Sequence, residues 1–363
     1  MKLYIIAGEA SGDLHGSNLI RALKHQQTDI ECRVWGGDLM QAAGGHLVKH
    51  YRELAFMGFA EVVRNLPAIL RNFRFCKKDI LEYRPDALVL IDYPGFNLRM
   101  AKWAKKQGIR VFYYISPQLW AWHTSRVHTI KRCVDKMIVI LPFEVDFYRK
   151  FGMNVEYVGH PLLDVIPIGQ ETSMPENSGK KIIALLPGSR KQEVRRILPP
   201  MLSVVAMFSE YEFVIAGATA LPNEFYHPFL TGHPNLRLVR GNTYDLLRSA
   251  TAALVKSGTS TLETALVGTP QVVCYAGSPL SFAIAKRVVR VPYISLVNLI
   301  LDRPLVRELI QDDLNTEALK NALGEILKPE NAEAIRAGYA ELRQKLGAGG
   351  ASERAAQLVM SDK

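Results

Sequence analysis

The stretch 5-IIAGEASGDLHGSNLIRAL-23 decides how the chain is read. An apolar run, Leu3 to Ala7, breaks into Gly8, Glu9, Ala10, Ser11, Gly12 and Asp13. A helical pattern follows, with Leu19, Ile20 and Leu23 on one face. Strand, polar turn and helix form the grammar by which open α/β sheets bind nucleotides. Yet the glycines do not read G-x-G-x-x-G, and two carboxylates stand where a pyrophosphate would sit. The stretch points to a nucleotide-type fold whose first turn holds something other than a dinucleotide.

The same grammar recurs to the far end of the chain. Short apolar runs predict strands at Leu3–Ala7, Ile30–Trp35, Ala87–Ile91, Val111–Ile115, Met137–Ile140 and Val155–Val158. A second set follows at Lys181–Leu186, Tyr211–Ala216, Leu236–Val239, Ala252–Val255 and Gln271–Tyr275. Continuous apolar runs of this length suit strands covered on both faces of a parallel sheet. Between the two sets lies PIGQETSMPENSGKK, residues 167–181, which is a linker by composition. The expected organisation is a domain over 1–166, a linker over 167–181, a second domain over 182–345, and a C-terminal helix over 346–363 that either stays with the second domain or packs back on the first. The fold class is α/β, two doubly wound Rossmann-like domains facing across a cleft, a common place for ligands.

The chain has 363 residues, enough for two cores, with 48% hydrophobic and 22% charged residues. Its mean hydropathy of +0.02 is that of an ordinary globular protein. Four scattered cysteines, Cys32, Cys76, Cys133 and Cys274, suggest reduced thiols rather than a disulfide framework. No run reaches the roughly 18–20 apolar residues of a membrane span, and the N-terminus does not read as a signal peptide. The net charge of +10 admits a solvated surface, an anionic membrane, an anionic substrate or nucleic acid. No recognised nucleic-acid-binding motif accompanies it.

Two turns in the second half have the character of phosphate cradles. SGTSTLE, Ser257 to Glu263, follows a strand directly. Ser257 and Gly258 make the turn, and Thr259, Ser260 and Thr261 fall at a helix N-terminus, where free N–H groups and the dipole suit a diphosphate. Glu263, in the first turns, is placed to accept from sugar hydroxyls. Simple capping explains the Ser and Thr residues equally well. LLPGSRKQEVRR, Leu185 to Arg196, also leaves a strand and opens a helix. Gly188 bends the chain, Ser189 offers a hydroxyl, and Arg190 offers a forked cation suited to phosphate.

Together AGEASGD, IDYPGFN, YYISPQLWAW, VGHPLLD, LLPGSRKQEV and SGTSTLE resemble the lipid-A-disaccharide synthases, bacterial glycosyltransferases of the two-domain GT-B type. The motifs run in family order from residue 8 to beyond residue 300. The resemblance implies transfer of 2,3-diacylglucosamine from UDP to the 6-hydroxyl of 2,3-diacylglucosamine 1-phosphate, giving a β-1,6 disaccharide with inversion. It also implies a protein in the cytoplasm, peripheral on an anionic inner-membrane surface, with no nucleic-acid partner. A homo-oligomer is admitted. Charge on the leaving UDP is taken up by Arg190 and the turn at 257–261, an account that requires neither metal nor cofactor.

In that frame the first turn need not hold a dinucleotide. Gly8 and Gly12 lack Cβ, so the backbone can approach the diphosphate or the reacting sugar. Glu9 and Asp13 accept from sugar hydroxyls, and Ser11 reaches the phosphates. Asp13 reads equally as the N-cap of a helix from Leu14. Asp92, at the carboxyl end of the strand Ala87–Ile91, is the candidate base, its pKa raised by an apolar neighbourhood that includes Tyr93 and Phe96. A cap for the turn before Pro94 is the plainer reading. Asn298 in VNLI stands as a donor-site side chain or a turn residue, and His160 in GHP as a sugar contact or a hinge residue.

Residues 56–78 interleave apolar and basic side chains and suit an anionic membrane surface, or two amphipathic helices divided at Pro67. Residues 118–132, with Trp120 and Trp122, offer a second such surface. Three other functions fit parts of the pattern. Another GT-B transferase or epimerase using UDP-GlcNAc would share the phosphate turns. An oxidoreductase is disfavoured by the missing glycine fingerprint, and a basic nucleic-acid-binding protein is allowed by charge alone.

Overall fold

The computed structural model describes residues 1–54, 66–122, 124–166, 179–278, 282 and 291–361. The chain forms two compact units: Met1–Asp164 with Ala348–Lys363, and Val165–Gly347.

The first unit is built on seven parallel strands: β1 (Lys2–Ala7), β2 (Glu31–Gly36), β3 (His46–His50), β4 (Ala87–Ile91), β5 (Arg110–Tyr114), β6 (Lys136–Val139) and β7 (Glu156–Tyr157). Their order is β3-β2-β1-β4-β5-β6-β7. All five residues of β4 are buried, as the unbroken run ALVLI requires of a strand covered on both faces. The strand order reverses between β1 and β4, the switch point at which doubly wound sheets gather ligand-binding loops. On one face an aromatic row packs beneath that point: Trp35 against Phe96 (5.4 Å), Phe96 stacked on Phe73 (4.2 Å), and Tyr93 stacked on Phe96 (5.7 Å).

The second unit holds six parallel strands: β8 (Lys181–Leu186), β9 (Tyr211–Gly217), β10 (Leu236–Arg240), β11 (Ala250–Lys256), β12 (Gln271–Tyr275) and β13 (Arg307–Ile310). The order β10-β9-β8-β11-β12-β13 puts its switch point between β8 and β11. Its core includes Ile182, Ala184, Leu186, Val214, Leu246, Leu247, Ala253 and Val255.

Two edge strands, β3 and β13, have no counterpart among the strands predicted from apolar runs. Their sequences, HLVKH and RELI, carry charged and polar residues because an edge strand is only half covered. Most of the expected linker, 167–178, lies outside the described residues. The last helix, Ala351–Met360, belongs to the first unit. Asp164 caps it, accepting from the amides of Gly350 (2.6 Å), Ala351 (3.2 Å) and Ser352 (3.0 Å) and from the Ser352 hydroxyl (2.9 Å). Gln26 Nε2 donates to the Glu353 carbonyl, and Arg354 donates to the Val158 carbonyl.

Candidate active site

In the first unit β1 and β4 run in register, Ala7 opposite Ile91, so Gly8–Glu9 and Asp92–Tyr93 leave the sheet side by side. Asp92 (φ 44°) and Tyr93 (φ 49°) are both left-handed. Asp tolerates that region and Tyr does not, at a cost of about 1–2 kcal/mol. The surroundings hold the strain in place. The Asp92 carbonyl accepts from Tyr113 Oη (2.6 Å) and Asn97 Nδ2 (2.8 Å), and the Asp92 amide donates to the Tyr114 carbonyl (3.2 Å). Strain fixed in this way at a strand end is a mark of functional sites.

Burial pushes the Asp92 carboxyl up to about 7, and the negative charge of Glu9 pushes in the same direction; the Tyr93 amide offsets part of this. The carboxyl therefore titrates near neutrality, as a general base requires. Tyr93 and Phe96, from which an apolar neighbourhood is expected, stack on each other at 5.7 Å in the core of the first unit. The contribution of Glu9 was not legible, because it depends on the register of β1 with β4.

The expected turn at 8–13 is shorter than its sequence suggests. The helix begins at Ala10, with Glu9 as its extended N-cap residue. A Cβ on Gly8 would lie 2.3 Å from the Tyr93 ring, so the space that Gly8 leaves open is filled by Tyr93 rather than by a ligand. Gly12 lies tight against Ala7, where a Cβ would come within 3.0 Å. Asp13 is not the cap of a helix from Leu14, because that helix already runs from Ala10. Its buried carboxylate accepts from the amides of Gly37 (2.7 Å), Leu39 (3.2 Å) and Met40 (3.0 Å), capping the helix Asp38–Ala42. Ser11 is exposed in the first turn, close in sequence to the N–H groups of Ala10–Gly12 that precede the first intrahelical bond.

In the second unit β8 and β11 are adjacent, with Leu186 opposite Val255, so the two phosphate-type turns leave neighbouring strand ends. Gly188 is left-handed (φ 109°). Glu193 folds back over this turn and accepts from the amides of Ser189 (3.2 Å) and Arg190 (3.3 Å), from Arg190 Nη1 (3.2 Å) and from Lys256 Nζ (3.0 Å). Burial would raise the Glu193 carboxyl, but Lys256 and Arg190 outweigh it and hold the group below its ordinary value. Arg190 is thus already engaged with a carboxylate. Neither Glu193 nor Lys256 is among the candidate residues that the two turns present in sequence. The signals were there: a Glu three residues past an N-cap, and a cation as the last residue of a strand.

At the second turn the hydroxyls divide. Ser257 Oγ donates to the Ile294 carbonyl (3.0 Å) and Thr261 Oγ1 to the Gly258 carbonyl (2.8 Å), so both serve the local fold. Thr259 is exposed and Ser260 half-buried beyond Gly258 (φ 153°), at the start of the helix Thr259–Val267. Glu263 accepts from Tyr244 Oη (2.8 Å), and burial raises its pKa.

Two candidates are tied into the surrounding fold. Asn298 is buried. Its Nδ2 donates to the Val306 carbonyl and Glu308 Oε1 (2.9 Å each), and its Oδ1 accepts from the Val306 amide (3.0 Å). It reaches the donor turn only at second hand, because Glu308 binds the Ile294 amide and Ile294 accepts from Ser257. His160 is buried, its Nδ1 accepting from the Leu162 amide (3.2 Å). Burial, and then the neighbouring His15, push its pKa down to about 3, so it is neutral and offers no charge to a sugar.

Of the two apolar–basic stretches, residues 56–65 and His123 lie outside the described residues. The helix Leu66–Tyr83 exposes Leu70, Phe75 and Leu81 beside Arg71, Arg74 and Lys78. Trp120 is pinned inward, its Nε1 donating to Glu144 (3.3 Å), whereas Trp122 is exposed. Among the described residues no helix is long and apolar enough to cross a membrane.

Among solved structures the chain resembles the UDP-GlcNAc 2-epimerase from Neisseria meningitidis bound to UDP-GlcNAc (TM-score 0.69, 14% identity, all of both chains). It also resembles the glycotransferase of kitacinnamycin (TM-score 0.68, 15% identity, 99% of this chain and 98% of that one). These likenesses show the fold: two Rossmann-like α/β units of the GT-B kind. Sequence comparison goes further. Lipid-A-disaccharide synthases from Trichlorobacter lovleyi (41% identical over 99% of this chain and 97% of the relative) and Syntrophus aciditrophicus (42% over 98% and 96%) align end to end. The family model described as lipid-A-disaccharide synthetase matches residues 3–361, and the chain belongs to that family.

Proposed function

We propose that the protein is an inverting glycosyltransferase that moves 2,3-diacylglucosamine from UDP to the 6-hydroxyl of 2,3-diacylglucosamine 1-phosphate. The products are the β-1,6 disaccharide 1-phosphate and UDP. The observation that carries this reading is Asp92, a carboxyl at the sheet's switch point whose backbone is held in a left-handed turn and whose pKa is about 7. It takes the proton from the acceptor hydroxyl as that oxygen attacks C1 of the donor. Charge developing on the departing UDP is met by the strand-end donors of the second unit, Arg190 and the amides around Ser189 and Thr259. Glu263, oriented by Tyr244, accepts from the donor's hydroxyls.

The acyl chains call for a peripheral seat on an anionic bilayer, on the cytoplasmic face of the inner membrane. The outward face of the helix Leu66–Tyr83 has the composition for it. Incubating the protein with the two diacyl substrates tests the reading. Disaccharide 1-phosphate and UDP are expected in equal amounts, with loss of both in Asp92→Asn. A folded protein that binds UDP and yields no disaccharide overturns it. Flotation with vesicles containing anionic lipid, weakened by Leu70→Glu, tests the membrane seat.

A further inference from the structure

Glu193 does something unusual for a capping residue. Its two carboxylate oxygens collect two main-chain amides, one guanidinium and one ammonium, drawn from the ends of two adjacent strands. Four donors of this kind around one small anion form the set that a phosphoryl group takes. Gly188 makes room for it: a Cβ there would lie 2.7 Å from Glu193 Oε2. Lys256 is the link between the two turns. It ends β11 one residue past the pairing of Val255 with Leu186, and its Nζ lies 3.7 Å from where a Cβ on Gly258 would sit.

We propose that Glu193 is a built-in stand-in for the diphosphate of the sugar-nucleotide donor, and that Lys256 is a diphosphate-binding residue which Glu193 holds until that donor arrives. The proposal rests on the donor-binding role given above to the second unit. On binding, a phosphoryl oxygen displaces the carboxylate from the Ser189 and Arg190 amides and from the two cations. No bond is made or broken, and the chain trades one anion for another. The stand-in keeps Arg190 and Lys256 oriented, at the cost of competing with the ligand.

The test is titration calorimetry with UDP and with uridine, which lacks the phosphates, on the full-length protein. Wild type is expected to prefer UDP. Lys256→Met is expected to weaken UDP about tenfold or more while leaving uridine unchanged, and Lys256→Arg to restore most of the loss. Glu193→Gln is expected to tighten UDP, because the competing charge is gone, and to increase the stabilisation of the protein by inorganic pyrophosphate in thermal unfolding. A Lys256→Met protein that keeps the full UDP preference overturns the proposal alone. Glu193→Gln weakening UDP shows a loop brace rather than a stand-in and also overturns it. Should Lys256→Met fail to fold, the Glu193→Gln arm decides. A wild type with no preference for UDP over uridine instead removes the donor-site reading beneath both.

Discussion

Replacing Asp92 by Asn should slow turnover by about 10²–10⁴-fold and stabilise the protein, and the two effects have one cause. The Asp92 carboxyl is raised from 3.8 to about 7, chiefly by burial and next by Glu9. At about 1.36 kcal/mol per pKa unit, keeping it ionised in the folded chain costs up to ~4 kcal/mol relative to the unfolded chain. The sign follows from proton binding. Between about pH 4 and pH 7 the folded state binds the proton more tightly than the unfolded one, so stability falls as pH rises through that window and levels off above it. Asn carries no charge and is free of this penalty. It also accepts the left-handed backbone at 92, which Ala would not do without strain. Partial exposure of the side chain reduces the gain, so about 1–4 kcal/mol is expected at pH 8, or roughly 2–10 °C in Tm. The difference should vanish near pH 4. In the transfer assay kcat/KM of the wild type should fall about tenfold per unit below an apparent pKa near 7, and Asp92→Asn should lose about 10²–10⁴-fold. An Asp92→Asn protein less stable than wild type at pH 8, or one keeping more than about a tenth of the rate, refutes Asp92 as a buried base.

Glu9→Gln removes the second cause of the raised Asp92 pKa, so the acid limb of the pH–rate profile should move to lower pH; an unmoved limb separates Glu9 from Asp92. Asp164→Ala strips the cap from the helix Ala351–Met360 and should cost roughly 1–2 kcal/mol, read as a lower Tm with faster amide exchange at 350–360. Asn298→Ala leaves the Val306 amide without its acceptor and should cost about 1–3 kcal/mol in thermal unfolding; an unchanged Tm would return Asn298 to the ligand.

What the sequence conceals here follows from physics. Strands buried on both faces, such as ALVLI at 87–91, announce themselves as unbroken apolar runs. HLVKH and RELI, half covered at sheet edges, do not. Asp92 was legible from its position after a buried strand, but its left-handed backbone was not, because Tyr113 and Asn97 impose that from outside the turn. Asp13 looked like a binding carboxylate because its partners, the amides of Gly37, Leu39 and Met40, lie more than twenty residues away. Asn298 is ambiguous in sequence for a related reason. A polar residue in an apolar segment marks a buried hydrogen-bond bracket as readily as a ligand contact, and only the paired strand β13 tells which. The start of the helix at Ala10 is hidden in the sequence, since Ser11, Gly12 and Asp13 are all turn-formers in isolation.

The two sheets share one winding, and at equivalent places they carry opposite charge. Each has a central strand at its switch point, β1 in one and β8 in the other, with a neighbour in register beyond it, β4 or β11. Asp92 is the first residue past the pairing of Ala7 with Ile91. Lys256 is the first past the pairing of Leu186 with Val255. In the first unit that place holds a carboxyl beside a second carboxylate, Glu9, an environment that disfavours its negative charge and readies it to accept a proton. In the second it holds an ammonium answered by the carboxylate of Glu193, together with a guanidinium and two amides, an environment ready to exchange one anion for another. Glycosyl transfer from a nucleotide needs both: a base that gains a proton at the attacking oxygen, and donors that meet charge on the departing phosphate. On the reading proposed above each unit supplies one of them, because the strand end fixes only the position of the side chain, and the neighbouring residues, Glu9 in one unit and Glu193 in the other, set what that side chain can do.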